Sequence, residues 1–120
     1  MKKYSFINPD PTLQNNLMAF GFECDEGWWP LIIECFDKIQ FLLDEKYPKL
    51  KKTFLIVQVK EKFGGLRIYC NYDNDEIDSL IDEACEKAEQ TCEVCGQPGK
   101  MQSKYHWMKT ICDKDFEEWK

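Results

Sequence analysis

An α+β fold is predicted, with helices packed on a β-hairpin-based antiparallel sheet and a small C-terminal module. Three observations predict it. Apolar residues recur at helical spacing from Trp28 to Leu43. A stretch rich in β-branched and aromatic residues, Thr53 to Cys70, is divided by Gly64-Gly65. Near the C-terminal end, Cys92-x-x-Cys95-Gly96 is followed by a third cysteine, Cys112. The chain has 120 residues, of which 43% are hydrophobic and 14% aromatic, with only 6 Gly and 5 Pro. That composition belongs to a folded chain with a modest core, not a disordered one. We read residues 1–91 as an α+β core and 92–120 as a module docked on it.

The elements follow in order. Pro9-Asp10-Pro11 makes a stiff entry, and Leu13, Leu17 and Phe20 suit a short helix over 12–20. The stretch Cys24 to Gly27 breaks the chain. A helix over 28–47 is predicted next. Trp28, Ile32, Cys35, Phe36, Ile39, Leu42 and Leu43 share its inner face, Pro30 suits its first turn and Pro48 marks its end. Only one of Trp28 and Trp29 can lie on that face; the other is a candidate contact residue.

A hairpin over 53–72 follows. A Gly64-Gly65 loop would set Lys62 opposite Arg67 and Lys60 opposite Tyr69. Leu55, Val57, Val59, Phe63, Leu66, Ile68, Cys70 and Tyr72 would then share the core face, with Glu61 its only charge. Gln58, Lys60, Lys62, Arg67, Tyr69 and Asn71 would share the other face, beyond Phe54 and Ile56. A helix over 74–91 is expected to start at Asp73, Asn74 or Asp75 and to bury Ile77, Leu80, Ile81, Ala84, Cys85 and Ala88.

The C-terminal motif carries the clearest chemistry. A Cys-x-x-Cys-Gly turn aims two thiolates at one ion. A hairpin over 100–111 and a short helix opening at Cys112 then bring further donors. Knuckle, hairpin and helix in this order match a treble-clef or zinc-ribbon-like module, so Zn2+ is the expected cofactor. Cys92, Cys95 and Cys112 are three ligands. Asp115, one helical turn after Cys112, is the leading fourth. His106 is the alternative, and Cys85 or water complete the options. A segment of this size has too little core to hold its shape alone, so the ion's expected role is structural. The remaining cysteines, Cys24, Cys35, Cys70 and Cys85, read as small buried hydrophobes. Seven cysteines without an export signal argue for a reducing compartment.

Charge narrows the function classes. Residues 1–72 sum to +1, 73–91 to −7 and 92–120 to 0, which gives the net −6. The acidity is one segment's, a solvated helix face or a docking patch for a basic partner. The acidic total makes nucleic acid an unexpected partner. No apolar run reaches membrane-spanning length, and residues 4–10 lack a signal peptide's apolar core, so a cytoplasmic protein is expected. A single His disfavours a metal-dependent hydrolase. On the polar hairpin face, Lys60, Lys62 and Arg67 with Tyr69 suit an anion, and Trp28 or Trp29 could stack on a base. The duller reading is that these cations pair with the acidic helix or blunt a sheet edge.

Three stretches together resemble a family of small bacteriophage and bacterial proteins. They are Gly27-Trp28-Trp29-Pro30-Leu31-Ile32, the run from Val59 to Tyr69, and Cys92-Glu93-Val94-Cys95-Gly96 with Trp107 and Thr110-Ile111-Cys112. The similarity covers roughly residues 27–115. It supplies a setting, not an activity. The family's pattern ends in a fourth Cys or His, where this chain has Asp115. The expectation is a non-enzymatic, zinc-stabilised binding protein, a phage-related accessory or anti-defence protein that occupies a host protein. The alternatives are a sequestering protein for a small anionic ligand such as a signalling nucleotide, and a metal-dependent hydrolase.

Overall fold

The structure is a computed structural model and describes residues 4–7 and 22–119. The helix expected over 12–20 lies outside the described residues. A 3-10 turn, Glu26–Trp28, leads into α1, Trp29–Glu45, with Pro30 in its first turn. The hairpin strands are β1, Ile56–Lys62, and β2, Gly65–Cys70. Helix α2 spans Asp75–Ala88. A second hairpin, β3 Lys100–Lys104 and β4 Trp107–Ile111, leads to the short helix α3, Asp113–Glu118. The two antiparallel hairpins form separate two-stranded sheets. The described chain is α+β, and none of its helices is long and apolar enough to cross a membrane.

The core lies between α1, α2 and the inner face of the first hairpin. Helix α1 buries Ile32, Cys35, Phe36, Ile39 and Leu43. Helix α2 buries Ile77, Ile81, Ala84 and Ala88, while Leu80 and Cys85 pack at the core's margin. Asn74 caps α2, its side-chain oxygen accepting from the Glu76 and Ile77 N–H groups at 3.0 and 3.1 Å. Tyr4 and Phe6 close one end, with Phe6 edge-on to Phe36 and Phe54. Of the four cysteines expected in the core, only Cys35 is fully buried; Cys24, Cys70 and Cys85 are half-buried. Burial pushes the thiols of Cys24 and Cys35 up to about 12 and that of Cys85 up to about 11.

The first hairpin departs from expectation in two places. Its loop is Phe63-Gly64, with φ values of 52° and 83°, not Gly64-Gly65. Two consecutive positive φ angles match the twist of the flanking strands. The register moves by two residues, so Lys60, not Lys62, faces Arg67, and Gln58 faces Tyr69. An even shift keeps the side chains of β2 on the expected faces. Phe63 leaves the core face and becomes 71% exposed. The second departure is an irregularity between Ile56 and Gln58 that leaves Val57 unmatched. This bulge reverses the alternation, so Phe54 and Ile56 are buried while Leu55 and Val57 are only half-buried. Tyr72 is also outside the core. Glu61, the one charge on the inner face, accepts from the Gly64 N–H at 2.7 Å and so closes the turn.

The acidic segment pairs with α1, not with the hairpin cations. Lys38 meets Glu83 at 2.6 Å and Lys87 meets Glu34 at 2.8 Å. Lys46 meets Glu76 at 2.5 Å.

Candidate metal centre

Cys92, Cys95, Cys112 and Asp115 converge near the C-terminal end. One ligand atom from each lies within 4.8 Å of all the others. Such a cluster is compatible with a metal site. Cys95 Sγ is 3.7 Å from Cys112 Sγ, and Asp115 Oδ2 is 3.2 Å from both Cys92 Sγ and Cys112 Sγ.

Local sequence explains the convergence. Cys92 and Cys95 flank a tight turn closed by the Gly96 N–H on the Cys92 carbonyl at 2.9 Å. Gly96 adopts φ 84°, a region that side chains disfavour. Cys112 is the N-cap of α3, and its sulfur accepts the Asp115 N–H at 3.5 Å. Helical spacing sets Asp115 over Cys112. In this cluster the three thiols hydrogen-bond the Asp115 carboxylate, with Cys95 the largest influence, and hold it below its usual range. The same carboxylate pushes the Cys95 thiol up to about 12. Thiols sharing one carboxylate are poised to exchange protons for a cation.

His106 does not join the cluster. It sits in the exposed Tyr105-His106 loop, where both residues have positive φ. Cys112 follows the opposite end of β4, and a five-residue strand holds these ends about 17 Å apart. The hairpin is too stiff to fold His106 back. Cys85 lies on α2, also outside the cluster.

Sequence reasoning missed what anchors this cluster to the core. Gly27 donates its N–H to the Glu93 carbonyl at 2.7 Å. A Cβ at Gly27 would stand 2.2 Å from the Cys92 carbonyl oxygen, so no side chain fits there. The Trp28 indole N–H donates to the Thr91 carbonyl at 2.9 Å. The Glu93 side chain is buried and accepts the Asp25 N–H at 3.0 Å. Lys109 Nζ lies 3.3 Å from Glu93 Oε1 and 3.1 Å from Asp25 Oδ2. Glu93 Oε1 has no well-aligned hydrogen bond among the described residues, and the Lys109 ammonium is its compensating charge. Burial raises the Glu93 carboxyl, while the Asp25 N–H and then Lys109 draw it back. Thr110 Oγ1 donates to the Gly64 carbonyl at 2.7 Å and joins the two hairpins. The only available signal was Gly27 itself, which reads in sequence as a mere break.

Trp28 and Trp29 separate as their spacing requires. Trp28 is fully buried and Trp29 is 39% exposed, edge-on to Phe22. Lys60, Lys62, Arg67 and Tyr69 share the outer face of the first hairpin, and none of them belongs to the Cys/Asp cluster. Trp28 is not with them; it lies in the core.

No protein-family model, curated protein or solved structure matches this chain.

Proposed function

We propose that this is a non-enzymatic binding protein whose C-terminal treble-clef-like module is held by Zn2+, and that it acts by occupying a host protein in a phage-related setting. The observation that carries the reading is the convergence of three sulfurs and one carboxylate on one point. A tetrahedral zinc with Zn–S bonds of about 2.3 Å sets its sulfurs about 3.8 Å apart. The 3.7 Å between Cys95 and Cys112 fits that spacing. Four protein donors fill a tetrahedron and leave no position for a reacting water, which favours a structural ion over a hydrolytic one.

The contact surface in this reading is α2, with the exposed Trp29, packed against Phe22, as a separate anchor. Asp75, Asp78, Asp82, Glu86 and Glu89 form no ion pair among the described residues. Their spacing of three, four, four and three places them on one stripe, away from the buried face. The Asp78 carboxyl is held above its usual range by partial burial and by Asp73, Asp75 and Asp82. A basic partner would relieve that repulsion. The test is capture of a host protein from lysate by the wild type and by the double variant Asp78→Lys, Asp82→Lys. A specific protein retained by the wild type and lost by the folded variant is the expected result. Equal retention by both rejects this surface.

A further inference from the structure

The outer face of the first hairpin carries a row of cations with no ion-pair partner among the described residues. Lys60 stands directly opposite Arg67, and Lys62 lies two residues along on the same face. Among the described residues, none of the three has an ion pair. Among the described residues, Arg67 donates only to its neighbour's carbonyl, that of Leu66, at 3.1 Å. Its guanidinium lies across Gly65, where a Cβ would approach Nη1 to 2.9 Å. Directly opposed like charges destabilise a hairpin unless something else favours them.

Aromatic rings stand at both ends of the row. Tyr69, two residues from Arg67, is 39% exposed. Phe63, at the tip, is 71% exposed, and Lys62 Nζ lies 5.8 Å from its ring centre. Phe63 also holds φ 52°, a conformation that bulky residues avoid. Neither core packing nor turn preference calls for phenylalanine there. Strain kept at an exposed position points to function.

We propose that this face binds single-stranded nucleic acid. Lys60, Lys62 and Arg67 take successive phosphates, and bases stack on Tyr69 and Phe63. The face is an open sheet surface, so it would bury a small anion on one side only, whereas a polymer can run along it. An acidic peptide would use the cations but not the two rings. The chain's net acidity does not oppose this. The unpaired acids of α2 lie on a helix that packs against β2, and although Arg67 reaches electrostatically to Cys85 on that helix, it forms no ion pair with those acids among the described residues. Glu23 pairs through its backbone beside Lys60, and its carboxylate is taken by the Gln58 amide at 2.7 Å. The proposal goes beyond the protein-binding reading and stands or falls separately from it.

The experiment is fluorescence anisotropy of the full, metal-loaded chain with a labelled thymidine oligomer of about a dozen nucleotides. Binding is expected, with log K falling against log salt at a slope of about −2 for three phosphates. Arg67→Ala is expected to reduce that slope by about 0.7. Tyr69→Ala is expected to weaken binding by about fivefold or more, and Tyr69→Phe to retain it. Circular dichroism checks that each variant is folded. Glu45→Ala, at the end of α1, is expected to cause no loss of affinity. Absence of binding at low salt overturns the proposal, as does equal affinity of the wild type and the folded Arg67→Ala and Tyr69→Ala variants. Equally tight binding of a duplex, of thymidine monophosphate or of a glutamate-rich peptide also overturns it.

Discussion

Gly27 touches the backbone of the turn that carries Cys92 and Cys95 and leaves no room for a methyl group. Its virtual Cβ meets the carbonyl oxygens of Cys92 and Glu93 at 2.2 and 2.4 Å, and these are backbone atoms that cannot swing aside. Gly27→Ala is expected to cost about 1–3 kcal/mol, read as a lowered thermal midpoint. The ligand set makes a second prediction at this scale. Cys112→Ser is expected to abolish stoichiometric metal, and Asp115→Ala to leave weakened binding through three sulfurs. His106→Ala is expected to leave the metal content unchanged, because the loop holds that ring at the far end of β4. Metal analysis of the purified variants checks all three; loss of metal on removing His106 alone would refute the assigned cluster.

Each helix is specified by local chemistry, and the hairpin is not. Asn74 satisfies two N–H groups at the start of α2, so Asn74→Ala is expected to cost about 1 kcal/mol in denaturant unfolding. The first hairpin turns at Phe63-Gly64 because two positive φ angles are needed and the Glu61 carboxylate is placed to accept the Gly64 N–H. Phe63→Asn is expected to stabilise the hairpin by about 0.5–1 kcal/mol, since asparagine tolerates this conformation better. If the tip serves binding, that gain comes with weaker binding to the thymidine oligomer. The sequence pattern assigned the faces of β2 correctly because the register error was even. It misassigned Phe54 to Val57 because a bulge shifts the alternation by one, and single-chain periodicity carries no mark of a bulge.

At the scale of the molecule, the C-terminal module leans on the core through a few polar contacts and the close approach at Gly27. The Glu93, Lys109 and Asp25 group and the Thr110 to Gly64 hydrogen bond join the two parts. Cys92 and Ile111 are buried there, but neither belongs to the main core cluster. Removing the metal with a chelator is therefore expected to loosen residues 92–119 before the helices. Hydrogen exchange is the measurement. Amides of β3, β4 and the knuckle should lose protection while those of Ile32 to Leu43 keep theirs. Uniform loss throughout would mean that the core also depends on the ion; no loss would mean that the module is held without it.

Local pattern was sufficient for some of this. Helical spacing marked α1 and α2, the asparagine cap lay within the three candidate start residues, and Cys-x-x-Cys-Gly with Cys112 and Asp115 named the residues that now converge. These features depend on neighbours within a few positions, or on a ligand chemistry that few residue types supply. Three matters were decided only in three dimensions: which of Asp115 and His106 stands beside the sulfurs, which hairpin residues oppose one another, and what Gly27 is for. Each depends on chain segments distant in sequence, and the energy that selects among them comes from packing and close approach that no local pattern records.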